Sequence, residues 1–429
     1  MSAKPLRLGI AGLGTVGIGV VRIVQRHAAL IAARAGREIA ISAVCARDRA
    51  RERPVDLSAY AWEDDPVALA RRDDVDLVVE LMGGADGPAK AATEAALAAG
   101  KNVVTANKAM LAHHGNALAG AAEAAGRVIR FEAAVAGGIP VVKALTEGLA
   151  GNEIRRVMGV MNGTCNYILT RMESAGLPYE TVFEEARQLG YLEADPSLDV
   201  GGIDAGHKLA LLAAIAFGSR VAFDDVQLQG IERISIDDIR RAGDMGFRIK
   251  LLGVAQMTGR GLEQRMSPCL VPADSPLGQL QGGTNMVVIE GDSVGQIVLR
   301  GAGAGEGPTA SAVMADVIEI ARGTRLSTFG QPAATLAAVQ PAAVAAPAPY
   351  YLRMELLDKP GALAKVAAAL GEAGISIDRM RQYGHETTSA PVLIVTHRTT
   401  PDAIDHAIRA FAATGVVEGP PVALRIETV

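Results

Sequence analysis

Leu6-Arg7-Leu8-Gly9-Ile10-Ala11 runs straight into Gly12-Leu13-Gly14-Thr15-Val16-Gly17, and this junction constrains the fold more than any other stretch of the chain. An apolar β-prone run, a G-x-G-x-x-G turn and an aliphatic helical run together read as the opening of a βαβ unit. Gly12 permits the tight turn, Gly14 lets the backbone approach a pyrophosphate, and Gly17 lets helix and strand pack closely. The helix start then offers unpaired N–H groups and a positive dipole end to phosphates. Gly12, Leu13, Gly14, Thr15, Val16 and Gly17 are therefore expected to bind a dinucleotide.

The context agrees. Strand-like runs at Leu6–Ala11, Ile39–Cys45, Leu77–Leu81, Val103–Thr105 and Val128–Phe131 alternate with helical runs such as Val16–Ala33 and Ala89–Ala99. That rhythm predicts an α/β fold with a doubly wound, Rossmann-type parallel sheet. The second strand ends Val44-Cys45-Ala46-Arg47-Asp48, where an acidic residue would grip a ribose 2′-hydroxyl and an arginine suits a 2′-phosphate. Arg47 favours NADP, and Asp48 beside it keeps NAD open.

At 429 residues the chain has room for about three domains of ~150 residues. The alternation blurs after about Ala134, so the expected boundaries are 1–134 for a cofactor domain and 135–325 for an α+β substrate and dimerisation domain whose end returns to the first. Four prolines between Gln331 and Tyr351 suggest an extended Pro/Ala linker over 326–348, and 349–429 is left for a small, separable α/β module.

Aromatic residues make up only 3% of the chain, which disfavours a stacking platform for nucleic acid. A net charge of −5 argues against a bulk grip on DNA or an anionic membrane. The three scattered cysteines form neither a disulfide framework nor a zinc motif, and the first residues lack a signal-peptide pattern. A cytoplasmic protein is expected.

Three segments invite chemistry. Val103-Val104-Thr105-Ala106-Asn107-Lys108 delivers a lysine just past the carboxyl end of a strand, the rim where open α/β sheets bind ligands. Asp204 and Lys208 lie four apart on one helix face, and the helix continues Leu209-Ala210-Leu211-Leu212-Ala213-Ala214, which is apolar all round and hence buried. A lysine at its mouth needs a carboxylate or a ligand nearby and suits proton transfer. Glu193 and Asp204 could recognise an ammonium group. The third segment, Asn162-Gly163-Thr164-Cys165-Asn166-Tyr167, holds a thiol that would serve an acylating aldehyde dehydrogenase if a base activated it, but no histidine lies near it in sequence.

Taken together these motifs resemble the homoserine dehydrogenases, in the monofunctional bacterial form with a C-terminal ACT module. The resemblance rests on the glycine motif, Thr105-Ala106-Asn107-Lys108-Ala109, the Asn162–Ile168 segment, Gly190-Tyr191-Leu192-Glu193-Ala194-Asp195-Pro196 with Asp204 and Lys208, and the late glycine loop Gly301–Thr309. It implies reversible NAD(P)-dependent interconversion of aspartate 4-semialdehyde and homoserine, on the route to threonine, methionine and isoleucine. It implies Lys208 as proton donor, Lys108 as a second lysine at the reacting centre, Glu193 and Asp204 on the substrate amino group, Gly190 and Thr164 lining the pocket, and Gly305 at the cofactor. It further implies a sodium or potassium ion held by Glu132 and the carbonyls of Val135, Gly137 and Ile139. A homodimer or homotetramer is expected. The rival class is a non-catalytic nucleotide or amino-acid sensor on the same fold.

The tail carries its own signature. Tyr351–Leu357 reads as a strand, Asp358-Lys359-Pro360-Gly361-Ala362-Leu363 as a turn into a helix, and Gly374-Ile375-Ser376-Ile377 as a return. This resembles an ACT domain of ferredoxin-like fold, and in this family the implied effector is threonine.

Overall fold

The computed structural model describes residues 4–192, 195–384 and 388–428. Two sheets organise them. The first holds six parallel strands: β1 (Leu6–Ala11), β2 (Ile39–Cys45), β3 (Ala61–Glu63), β4 (Leu77–Glu80), β5 (Asn102–Thr105) and β6 (Ile129–Arg130). Their order is β3-β2-β1-β4-β5-β6, so the chain reverses direction across the sheet between β1 and β4. In such sheets the crevice beyond the carboxyl ends at that switch point is the binding site.

The fingerprint glycines earn their places sterically. Gly12 has φ +109°, and a Cβ there would lie 2.5 Å from the Leu81 carbonyl oxygen at the end of β4. A Cβ on Gly17 would lie 2.0 Å from the Gly12 carbonyl oxygen. Either side chain would force the first turn off the sheet. The helix that follows, Thr15–Ala35, is long and apolar enough to cross a bilayer by composition. Here it buries Ile18, Val20, Val21 and Val24 against the sheet and against a late helix, Glu306–Ala321. That late helix contributes Ala310, Val313, Met314 and Val317 to the core of the cofactor domain, so the chain ends its middle portion back where it began.

The second sheet is built from β7 (Ile154–Val160), β8 (Gln227–Leu228), β9 (Phe247–Thr258), β10 (Gly261–Pro272), β11 (Thr284–Gly291), β12 (Gly295–Ala302), β13 (Tyr350–Leu357), β14 (Ile377–Gln382), β15 (Ser389–Thr396) and β16 (Val417–Ile426). Its order is β12-β11-β7-β9-β10-β16-β13-β15-β14, with β8 on β10. Helices Gly163–Ala175 and Ile203–Phe217 pack with it, and the second is sealed by apolar residues from Leu209 to Ala214.

The tail has the expected β-α-β-β-α-β order, with helices Ala362–Glu372 and Pro401–Thr414 and a core of its own around Leu352, Val366 and Phe411. It is joined to the substrate unit, however. β16 pairs in parallel with β10 at Cys269–Arg425 and Leu270–Ile426, which makes one sheet of both units. Tyr351, Leu393, Leu424 and Ile426 are buried in the same cluster as Leu270 and Leu251. Nor is 326–348 a free tether. Phe329 is buried with its ring 5.5 Å from that of Phe131. The backbone bonds reciprocally with the substrate domain, Ala337 N to Gly218 O at 2.9 Å and Leu262 N to Gln340 O at 2.9 Å. Prolines hold this segment extended, and extended backbone next to a free strand edge finds partners there.

Candidate active site

The first lysine is aimed by a chain of polar contacts at the rim of the parallel sheet. Glu80, fully buried at the end of β4, accepts from Thr105 Oγ1 at 2.6 Å and from Met82 N at 2.7 Å. Burial pushes its carboxyl above the usual carboxylate range, against those hydrogen bonds. Thr105 Oγ1 in turn accepts from Asn107 N, and Asn107 caps the helix Lys108–Ala124 by accepting from Met110 N at 3.0 Å. The cap sets Lys108 as the first helical residue, with its ammonium over the cleft.

The second lysine comes from the other unit. The helix Ile203–Phe217 is anchored by its apolar body, and its first turn carries Asp204 and Lys208. Asp204 bridges both cations: Oδ1 lies 2.9 Å from Lys108 Nζ and Oδ2 lies 2.6 Å from Lys208 Nζ. Lys208 Nζ also donates to the Met161 carbonyl oxygen at 2.9 Å. Burial alone would raise the Asp204 carboxyl, but Lys208 and then Lys108 outweigh it and hold the group well below the usual range. Asn162 donates to Asp199 Oδ1 at 3.0 Å and to Asp204 Oδ2 at 3.4 Å, and its own Oδ1 caps the helix Gly163–Ala175 at Cys165 N.

These groups line a cleft of about 640 Å³ between the two units. Thr15 and Val16 from the fingerprint, the Gly303–Gly305 loop and Thr309 form one side. Asn162, Thr164, Gly190, Tyr191 and Asp199 form the other, with Lys108, Asp204 and Lys208 between. Thr164 Oγ1 donates to Tyr191 O at 2.9 Å, and the Tyr191 ring stacks on Tyr167 with centroids 4.5 Å apart. Of the residues singled out from sequence, Glu193 lies outside the described residues. Asp199 was missed: it belongs to a short acidic turn that gives no sign of facing the lysines.

Cys165 is not a nucleophile. It is fully buried, its thiol donates to the Asp199 carbonyl oxygen at 3.3 Å, and burial together with Asp199 and Asp204 pushes it well above its ordinary value. An acylating reaction needs an accessible thiolate. His207 packs against His113 and Phe223 and does not line the cleft, and burial and then His113 depress it to about 4.

Arg47 sits exposed just beyond β2 and does not line the cleft. Asp48 is committed to the turn, accepting from Ala50 N at 2.9 Å and Arg51 N at 3.2 Å through one oxygen. Arg53, unforeseen from sequence, lies across this turn, donating to Asp48 O at 2.7 Å, with its guanidinium 5.4 Å from the Trp62 ring centre.

Glu132 is buried and accepts from Val142 N at 2.9 Å and Lys143 N at 2.8 Å. Burial and then neighbouring Asp316 push its carboxyl up to about 7. Val135 and Gly137 continue from it into the cleft wall, whereas the Ile139 carbonyl already accepts from Val141 N at 2.8 Å. A buried carboxylate near backbone carbonyls is the kind of oxygen set that suits a hard cation. No cluster of three His, Cys, Asp or Glu side chains that could hold a metal occurs among the described residues, so such an ion would lean on backbone oxygen.

Comparison with known proteins agrees along the whole length. The family model for the homoserine dehydrogenase NAD binding domain matches residues 12–132, that for homoserine dehydrogenase matches 140–318, and that for the ACT domain matches 350–415. The chain is 44% identical to homoserine dehydrogenase of Neisseria gonorrhoeae and 42% identical to that of Pseudomonas aeruginosa, in each case over 99% of both chains. Among solved structures, a homoserine dehydrogenase from Thiobacillus denitrificans superposes with a TM-score of 0.93 at 39% identity, covering 100% of this chain and 99% of that one. The Staphylococcus aureus enzyme at pH 7.5 gives 0.77 at 28% identity, over 99% and 100%.

Proposed function

The chain belongs to the homoserine dehydrogenase family, and we propose that the Lys108–Asp204–Lys208 bridge is the place where its substrate reacts. The protein is an oxidoreductase of amino-acid biosynthesis with a nicotinamide-binding domain, interconverting aspartate 4-semialdehyde and homoserine. One observation carries the assignment of roles. An ammonium has three N–H donors, and Lys208 directs one to Asp204 and one to Met161 O. The remaining donor is for the substrate oxygen.

In the reducing direction Lys208 polarises the aldehyde oxygen, stabilises negative charge as it develops and then protonates it. Hydride transfer to the carbon bearing that oxygen is the chemistry supplied by bound nicotinamide cofactor. Lys108 keeps a second positive charge beside the same carboxylate. The substrate ammonium is held by Asp204 with Asp199, and by Glu193 as the family resemblance implies, while Gly190 and Thr164 shape the cleft wall. The fingerprint residues Gly12–Gly17 and the loop at Gly305 hold the cofactor phosphates, and Arg47, helped by Arg53, reads a 2′-phosphate in preference to a hydroxyl.

Glu132, with the carbonyls of Val135, Gly137 and Ile139, holds a sodium or potassium ion that braces the junction of the two units. Threonine is the effector of the ACT unit, and the enzyme works as a homodimer or homotetramer in the cytoplasm. The sensor reading loses ground because a bare binding protein has no need of a lysine donor directed at a substrate oxygen.

Turnover of homoserine with NADP⁺ tests the whole reading, and Lys208→Ala tests its centre. The folded variant should lose at least ~10²-fold in kcat, the lower range for a general acid; near-normal turnover would move the proton donor elsewhere. In Arg47→Ala the KM for NADPH should rise while that for NADH stays put, and equal changes would show that Arg47 does not contact the phosphate. Thermal melts should show stabilisation by sodium or potassium chloride beyond that by a tetraalkylammonium chloride, and by threonine. Glu132→Gln should abolish the first and spare the second.

A further inference from the structure

Asn285 is a buried cleft residue that the reaction as described leaves unused. It stands near the start of β11, is 1% exposed, and lines the wall where the cofactor side meets the substrate side. Its Oδ1 is buried without a hydrogen-bond partner among the described residues. Two glycines leave room for it. A Cβ on Gly303 would fall 1.9 Å from Asn285 Nδ2, and one on Gly163 would fall 3.4 Å from Oδ1. Gly303 belongs to the loop on the cofactor side, and Gly163 to the turn that carries Asn162 and Thr164. The amide is therefore lodged between the two halves of the cleft with its buried oxygen unpartnered.

A buried amide without partners is costly, and native proteins rarely tolerate one without a reason. We propose that Asn285 reads the carboxamide of the bound nicotinamide. The argument is one of complementarity. An asparagine side chain offers one acceptor and one NH₂ donor, and a primary carboxamide offers the same two in return, so a single partner satisfies both ends. The substrate ammonium only donates and its carboxylate only accepts, so each would satisfy one end and strand the other. The position between the Gly303 loop and the Gly163 turn, in the cleft that Lys108 and Lys208 also line, suits the reacting end of the cofactor. The same contact explains Gly303: any side chain there would occupy the space of the amide.

This inference rests on the dehydrogenase reading and refines it, so its test must separate the two. Isothermal titration of the full-length protein would compare three ligands: NADP⁺, its 3-acetylpyridine analogue, which replaces the carboxamide NH₂ with a methyl group, and 2′-phospho-ADP-ribose, which lacks the ring. Wild type should bind NADP⁺ about tenfold tighter than the analogue, the scale of one well-made hydrogen bond. Asn285→Leu should bind both alike while keeping wild-type affinity for the ringless fragment. Asn285→Asp, which keeps an acceptor and loses the donor, should keep the preference while binding NADP⁺ and the analogue more weakly than wild type does, and serves if the leucine variant does not fold. Retention of the wild-type preference in a folded Asn285→Leu protein, or wild-type affinity for both ring-bearing ligands in Asn285→Asp, would overturn the proposal. So would a loss that extends to the ringless fragment, or one confined to the KM of homoserine. Failure of wild type to bind any of the three would instead refute the dehydrogenase reading.

Discussion

One carboxylate joins the two halves of this protein's chemistry. Lys108 comes from the rim of the parallel sheet and Lys208 from a helix of the substrate unit, and Asp204 binds both within 2.9 Å. Two ammonium groups brought together in a half-dry cleft would repel each other. The carboxylate between them converts that repulsion into a fixed geometry. Buried ion pairs contribute little net stability because desolvation offsets the attraction, whereas removing one partner typically costs ~3–5 kcal/mol. Asp204 therefore serves position more than stability. The apolar body of its helix holds the first turn in place.

The residues around the bridge follow from that requirement. Asn162 touches Asp204 with one end of its amide and caps a helix with the other, so the substrate wall and the carboxylate are oriented by one side chain. Glu80 does the equivalent work on the opposite side, through Thr105 and Asn107. His207 lies next to Lys208 in sequence yet packs against Phe223 and His113, and being neutral it adds no further positive charge to the cleft.

What could be read from sequence was whatever has a local steric or periodic cause. Gly17 is legible because a side chain there would strike the backbone of Gly12, and Gly12 because its φ of +109° is one that other residues rarely adopt. Lys208 is legible because a charged residue opening an apolar helix demands a partner. Asp199 and Asn285 are not, because their meaning depends on which distant loop packs over them, and one asparagine at the head of a strand looks like any other. The tail shows the same limit. Its internal pattern announced the ACT order, but the parallel pairing of β16 with β10 arises between strands about 150 residues apart and leaves no mark on either. A proline-rich stretch therefore looked like a tether while in fact lying pinned along Gly218 and Leu262. One sheet therefore runs through both units.

The most direct test of the bridge is a double-mutant cycle in kcat/KM for homoserine oxidation, using Asp204→Asn, Lys108→Met and the two combined. If Lys108 acts through Asp204, the double variant should be no slower than Asp204→Asn alone, because the interaction that Lys108 makes is already gone. Losses that multiply would contradict the account, for they would mean that the two groups act on the reaction independently.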